Sequence, residues 1–325
     1  QIYQLAVIII NYKTPQLVVD CLDSMLPEVT GLNAKVIVVD NASHDDSCGR
    51  IQLWIDKNNV SDKIQILYSP INTGFSGGNN FGIRSIVAEN YLLLNSDTIV
   101  RKGSIQLLLD VAGKDKSVGL VSPRLEWSDE VAQESCFKFH TPISELISSA
   151  VTKPISQLFR TYIVPQQVSE NKGYYDWTSF ACVLVKSDVF KEIGLMDDSY
   201  FMYYEDVEFC YRAKQAGWKV LNVPDAHVVH LRGGSSPVKM QTQLRKRLSR
   251  YYYESRTRFF YQLYGQSGLL LANILWTLGY AIALFRRGVS TRFEMSAPER
   301  QWKDIWTNFF NPMKPYVHPD NYDKT

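Results

Sequence analysis

The first hundred residues are built on four short apolar runs rich in β-branched and leucine side chains, and all four end on or run directly into a polar residue. Residues 5–10 (LAVIII), 35–40 (KVIVVD), 64–68 (IQILY) and 91–94 (YLLL) are those runs. A strand buried on both faces loses the alternation of a half-exposed strand and reads as a continuous apolar stretch. Helix patterns lie between them. Pro15 opens one that reaches about Met25, with Leu17, Val18, Cys21, Leu22 and Met25 along one side. Strand and helix in alternation predict an α/β fold with a parallel, doubly wound sheet. Such sheets take ligands beyond the carboxyl ends of their strands. Those ends carry Asn11 and Tyr12, then Asp40 and Asn41, then Asn95 and Asp97.

Past residue 100 the pattern is less regular. Residues 117–122 read as a strand, 127–173 as loop with short helices, and 177–185 as one apolar strand. A helix is expected over 205–216, closed by Gly217. Short strands are expected at 219–221 and 226–230. The run Gly233-Gly234-Ser235-Ser236-Pro237 is a candidate boundary.

Four constellations could carry chemistry. Asn72-Thr73-Gly74-Phe75-Ser76-Gly77-Gly78-Asn79-Asn80 follows the third strand and precedes a helix. Glycines let backbone approach a ligand, and a helix N-terminus attracts phosphate. The spacing is neither GxGxxG nor a P-loop, and a tight strand-to-helix turn accounts for it equally well. Asn95-Ser96-Asp97 places a carboxylate at a strand end, where a hard divalent cation on a diphosphate could use it; a β-turn or helix cap uses the same residues. Tyr203-Tyr204-Glu205-Asp206-Val207-Glu208 sets three acids at a helix start. They complement the helix dipole, yet beside bulky aromatics one of them is expected to be desolvated, raised in pKa, and suited to act as a general base. His227 and His230 end a strand and are either structural or metal-binding.

Together these pieces resemble the family-2 glycosyltransferases, and among them the bacterial rhamnosyltransferase-like branch. The matching stretches, in order, are VIIINYK, VIVVDNAS, NTGFSGGNNFGI, LLLNSDT, DWTSFACVLV, FMYYEDVEFCYRAKQAGW and HVVHLRGGSS, covering residues 5 to about 236. The resemblance implies a GT-A fold over 1–236, with a nucleotide-binding half (1–100) and an acceptor and catalytic half (101–236). It implies an inverting, metal-dependent hexosyltransferase that draws on dTDP-rhamnose or a UDP-hexose. The acceptor would be a lipid-linked or polysaccharide hydroxyl in cell-surface glycan synthesis.

Roles follow for matching positions. Asn11, Tyr12, Asp40, Asn72, Gly74, Gly78, Asn79 and Asn95 would form the nucleotide-sugar site, with Tyr12 near the base and Asp40 on the pyrimidine edge. Asp97 and His230 would hold Mg2+ or Mn2+. Asp206 would be the base, with Glu205 and Trp177 near donor sugar and acceptor. Asn95 stands where the family often has the first Asp of Asp-x-Asp, which lowers the charge on the metal site. Phe180 stands where a small Gly is common, which alters the acceptor pocket.

The C-terminal part, 237–325, differs in kind. Residues 239–292 hold ten basic residues against one acid, Glu254, interleaved with tyrosines and phenylalanines. Residues 268–285 carry no charge. As a helix they span about 27 Å, just short of a hydrocarbon core. A basic, apolar helical extension lying on an anionic membrane is expected; a buried core helix or an interface in a homo-oligomer is the competing reading. The whole chain carries a net charge of only +2, from 35 basic and 33 acidic residues, so no nucleic-acid partner is expected. Five widely spaced cysteines without a CxxC argue for a reducing compartment. The apolar start is too short for a leader. A cytoplasmic location at the inner membrane face is therefore expected. The rival classes are a nucleotidyltransferase, which would need a glycine-rich basic loop after the first strand where Asn11-Tyr12-Lys13 stands, and a non-catalytic glycan- or membrane-binding scaffold.

Overall fold

The computed structural model describes residues 2–231, 238–290 and 292–324. The strands are β1 (Tyr3–Asn11), β2 (Ala34–Asp40), β3 (Ile64–Tyr68), β4 (Ala88–Asn95), β5 (Thr98–Val100), β6 (Val118–Glu126), β7 (Cys136–Phe137), β8 (Gly173–Tyr175), β9 (Trp177–Thr178), β10 (Cys182–Lys186) and β11 (Lys219–His230). The helices are α1 (Pro15–Val29), α2 (Ser47–Lys57), α3 (Gly74–Arg84), α4 (Ser104–Lys114), α5 (Pro142–Ala150), α6 (Lys153–Leu158), α7 (Ser187–Ile193), α8 (Glu205–Gln215), α9 (Val238–Gln243), α10 (Arg250–Val289) and α11 (Gln301–Asp304). Two compact units form. The first takes the described residues of Gln1–Phe137, Gln167–Asp198 and Glu205–Ser235; the second takes those of Lys138–Gln166, Ser199–Tyr204 and Ser236–Thr325. The units therefore interleave along the chain, and the expected boundary segment 233–237 lies outside the described residues.

The first unit holds a mixed sheet ordered β3–β2–β1–β4–β10–β6–β11–β5, with β8 also along β11, and a separate two-stranded sheet of β7 and β9. The first four strands are parallel, as the apolar runs predict. Beyond β4 the expected parallel order changes, because β10 enters antiparallel between β4 and β6. The expected strand 177–185 is divided into β9 and β10 around Ser179, Phe180 and Ala181. The two expected short strands at 219–221 and 226–230 are one strand, β11, with a register shift between Val223 and His227. β1 is inaccessible over Leu5–Ile9 because both its faces are covered. Leu5, Val7 and Ile9 join Val18, Leu22 and Met25 of α1 in one apolar cluster. Each such side chain contributes about 1.5–3 kcal/mol on burial. On the other face α3 approaches so closely that a Cβ on Gly82 would sit 2.7 Å from Ile8 Cγ2 and 3.1 Å from Val39 Cγ2.

In the second unit α10 is two helices, 250–264 and 266–289, divided at Gly265 (φ 67°, ψ −173°), a conformation glycine adopts without penalty. The second half packs against α5, where a Cβ on Gly279 would strike Ser149 Oγ and the Leu146 carbonyl. Leu269, Ala272, Asn273, Trp276 and Ala283 form its buried face, whereas Leu270, Leu271, Ile274, Leu278, Leu284 and Phe285 are exposed. Among the described residues α10 is the helix long and apolar enough to cross a membrane. Most arginines of 245–292 have partners within the unit. Arg256, with its side chain 2% exposed, holds Glu145; Arg258 donates to the Met313 and Lys314 carbonyls; Arg247 forks onto Asp304. Arg245 pairs with Glu294, Arg250 with Glu254, and Arg286 donates to the Val151 carbonyl.

Candidate active site

The carboxyl ends of β1, β2 and β4 lie in register, since Asn11 pairs with Asp40 and Ile10 with Asn95. This brings the predicted polar residues to one edge of the sheet. Asn11 donates Nδ2 to Asp40 Oδ1 (2.7 Å) and to Ser43 Oγ (3.1 Å), while Ser43 gives Asp40 its hydroxyl (2.6 Å) and its backbone N–H (3.2 Å). Asp40 is thus a fixed, hydrogen-bonded carboxylate rather than a swinging one. Tyr12 is half-buried beside it, with Lys13 Nζ 5.2 Å from its ring.

The glycine segment behaves differently from the loop its sequence suggests. α3 begins at Gly74 itself (φ 68°), so Gly77, Gly78 and Asn79 are helical. A Cβ on Gly78 would meet Ile10 Cδ1 at 3.0 Å and Asn41 Nδ2 at 3.3 Å, and buried Asn79 donates to the Phe75 carbonyl. Gly78 thus lets α3 close on β1, and Asn79 is engaged within its own helix. The turn before α3 is held by Asn41, which the strand-end pattern names but which was given no role in the nucleotide-sugar site. Its Nδ2 donates to Asn72 Oδ1 and to the Gly74 carbonyl, both at 2.9 Å, and its Oδ1 accepts from the Thr73 backbone N–H. Asn72 Oδ1 also accepts from Gly74 N–H. A second Asn after a strand-end Asp was the available signal.

Asn95, Ser96 and Asp97 connect β4 to β5. Asn95 is half-buried, its backbone N–H on the Ala181 carbonyl and its own carbonyl accepting from Thr98 Oγ1. β5 pairs with the end of β11, Thr98 opposite His230. This places His230 Nε2 3.5 Å from Asp97 Oδ1, with both side chains 5% exposed or less. An imidazole nitrogen and a carboxylate oxygen at that separation can share one divalent ion. Among the described residues no group of three or more His, Cys, Asp or Glu could hold a metal. Asp97 and His230 are the residues of this site that could hold Mg2+ or Mn2+, ions that take one or two protein ligands and complete their shell with phosphate oxygens and water. The His230 end of β11 is anchored by Gln133, which sequence reasoning missed because it sits in an irregular stretch. Its Nε2 donates to the His230 carbonyl (2.7 Å) and the Glu126 carbonyl (3.1 Å). His227 turns instead to buried Glu126 (2.9 Å), which also pairs with Arg101.

Glu205 and Asp206 start α8, which packs beside β9. Asp206 is half-buried and accepts from the Val207 N–H (2.9 Å). The desolvated acid is Glu205: burial first, then the Asp206 charge, pushes its carboxyl well above the usual range. Its Oε2 is buried without a hydrogen-bond partner among the described residues. Trp177 on β9 stacks on Phe137, centroids 4.1 Å apart and planes 19° from parallel. Phe180 is buried edge-on against Phe209, which fills the space a glycine would leave.

The model of a family described as glycosyltransferase-like family 2 matches residues 3–254. A low-salt glycan biosynthesis hexosyltransferase of Haloferax volcanii is 29% identical over 232 residues, 69% of this chain and 65% of the relative. An N-acetylglucosaminyl-diphospho-decaprenol L-rhamnosyltransferase of Mycobacterium tuberculosis is 27% identical over 195 residues, 59% of this chain and 61% of the relative. The matches thus span somewhat under two thirds of these relatives' own length. A mannosyltransferase of Pyrobaculum calidifontis, solved with GDP-Man and Mn2+, superposes with a TM-score of 0.53 at 14% identity, over 96% of this chain and 86% of the other.

Proposed function

The chain belongs to the family-2-like glycosyltransferases and has their GT-A type α/β fold, and from that premise we propose that it is an inverting hexosyltransferase acting on a lipid-linked or polysaccharide hydroxyl in glycan synthesis. The donor is a nucleotide-activated sugar, dTDP-rhamnose or a UDP-hexose. The observation that carries this reading is the Asp97–His230 pair at the sheet edge that also holds Asn11, Asp40 and Asn95. Asn11 and Ser43 hold the Asp40 carboxylate still for the edge of the base, and Asn41 holds the Asn72–Gly74 turn beside it. Asp97 and His230 would hold the divalent cation, which when bound neutralises charge developing on the departing nucleoside diphosphate.

Asp206 is the group assigned to the acceptor. A hydroxyl is a weak nucleophile at neutral pH, so a placed carboxylate takes its proton as the oxygen bonds to the anomeric carbon. The bond from that carbon to the diphosphate oxygen breaks on the opposite side, and the configuration inverts. Trp177, held flat on Phe137, is the residue assigned to the vicinity of the sugar. The test is release of nucleoside diphosphate from a panel of dTDP-rhamnose and UDP-hexoses with Mn2+ and a polyprenyl-diphosphate N-acetylglucosamine acceptor. Asp206→Asn should abolish transfer while leaving donor binding intact; wild-type turnover in that variant would refute the assignment.

A lipid-linked acceptor calls for an enzyme that works at a membrane; the cytoplasmic face is part of this proposal, and one surface of the second unit suits contact with lipid. The exposed face of 266–289 offers Leu270, Leu271, Ile274, Leu278, Leu284 and Phe285 without a charge among them. The adjoining segment, tied to the helix by Gln266 on the Phe309 carbonyl, exposes Trp306 and leaves Phe310 97% exposed. With most of the arginines engaged inside the unit, apolar insertion rather than attraction to anionic lipid drives the contact. Flotation with neutral phosphatidylcholine vesicles should retain the protein, and Ile274→Asp with Leu278→Asp should release it. Binding that requires anionic lipid would overturn the apolar mode.

A further inference from the structure

On the reading of Asp206 as the acceptor base, we infer that Tyr251, Tyr252 and Phe259 of α10 are positioning residues that fix the base through the backbone of Tyr203 and Tyr204. The chain passes from the second unit to the first between Tyr204 and Glu205, two residues before Asp206. At that point Tyr203 (φ 72°) and Tyr204 (φ 66°) both have left-handed backbone. One bulky residue in that region is uncommon, and two in succession persist only where the surroundings dictate them.

The surroundings are aromatic and specific. The Tyr203 ring lies parallel to that of Tyr251 (6.4 Å, 5°) and edge-on to Tyr252 (5.6 Å). The Tyr204 ring lies 5.8 Å from Tyr252 and 5.2 Å from Phe259, and its hydroxyl is hydrogen-bonded with that of Tyr252. Upstream, Phe201 packs 5.2 Å from Tyr251, Ser255 Oγ donates to the Met202 carbonyl (3.1 Å), and the Tyr200 hydroxyl donates to Gln262. Every residue from Tyr200 to Tyr204 is therefore gripped by the first half of α10. Tyr252 touches both left-handed residues. Without its ring, the pair is free to relax to ordinary backbone, which re-aims the first turn of α8 and with it Asp206. An ordinary helix start needs no such grip, so the strain is explained if the placement of the acid matters for turnover.

The experiment compares full-length wild type with Tyr252→Ala, Tyr252→Phe and Tyr203→Gly. Turnover is measured with the donor and polyprenyl acceptor above, dTDP and UDP binding by calorimetry, and amide exchange over 203–210. Tyr252→Ala should lower kcat about tenfold or more with donor KM unchanged and nucleotide affinity intact, and should speed exchange in 203–210 but not in β1–β4. Tyr252→Phe keeps the ring and should recover most of kcat. Tyr203→Gly keeps a residue that tolerates the backbone but removes its ring, and should follow Tyr252→Ala without loss of fold. Wild-type kcat and unchanged exchange in both Tyr252→Ala and Tyr203→Gly would overturn the inference, as would a parallel loss of nucleotide affinity. Failure of the base reading is separate, because it shows as wild-type turnover in Asp206→Asn.

Discussion

Removing one charge from the centre of the second unit should be among the costliest single changes in this protein. Arg256 donates Nε and one terminal nitrogen to Glu145 Oε2 (3.0 and 2.6 Å) and its other terminal nitrogen to Asn273 Oδ1 (2.8 Å). The guanidinium lies 4.9 Å from the centroid of the Phe260 ring, and Asn273 in turn donates to the Ile305 carbonyl. Glu145→Gln keeps the volume and one acceptor but leaves a buried cation without its counter-charge. Breaking such a pair costs about 3–5 kcal/mol. At about 2–4 °C per kcal/mol for a chain of this size, the melting temperature should fall by roughly 10 °C. The double variant Glu145→Leu with Arg256→Met, which removes both charges, should recover most of that loss. Calorimetry at low and high salt is the assay, and added salt should change little because a buried pair is poorly screened. A Glu145→Gln protein melting within about 1 °C of wild type, or a double variant no better than the single, would refute the reasoning.

Three further outcomes follow from the geometry. Glu205 has a raised folded-state pKa, so its stability contribution is present in acid and lost as pH rises; Glu205→Gln should raise the melting temperature at pH 8 and leave it unchanged near pH 4. His140 is the opposite case, since burial between Tyr204 and Phe259 lowers it to about 4. Its contribution should be lost as pH falls from 6.5 toward 4, and His140→Phe should flatten that part of a melting-temperature profile. Asn41→Ala frees the Asn72–Gly74 turn and should weaken dTDP or UDP binding about tenfold by calorimetry, a loss of about 1.4 kcal/mol.

How far the sequence could be read depended on the distance between partners. The ends of β1, β2 and β4 were legible because a buried parallel strand writes its own signal: an apolar run, then a polar stop. Asp40 and Asp97 were found that way, and β3 was bounded to the residue. The role of the α3 glycines was not, because Gly77, Gly78 and Gly82 are explained by what they meet. Thr73 is local, but Ile10, Ile8 and Val39 come from strands far back in the chain. Gln133 carries no local signal at all. Its task exists only because β6 and β11 end side by side.

The basic C-terminal segment shows the same limit. Ten basic residues against one acid suggest an electrostatic surface when counted along 239–292. Their partners, however, come from elsewhere: Glu145 from α5, Asp304 from α11, Glu294 and the Met313 and Lys314 carbonyls from the residues that follow. Local charge counting sees the arginines and not the three acids among these partners, so it overstates the field that reaches solvent; the carbonyls hold Arg258 in place without cancelling its charge. Gly279 and Asn273, the small and polar residues of the apolar stretch, both lie on its buried face, Gly279 against α5 and Asn273 on Arg256. Once those two are assigned inward, the outward face over 268–285 is apolar except for Thr277, whose hydroxyl donates to the Asn273 carbonyl. Salt should therefore leave vesicle binding nearly unchanged, whereas a single aspartate at Ile274 or Leu278 should weaken it markedly.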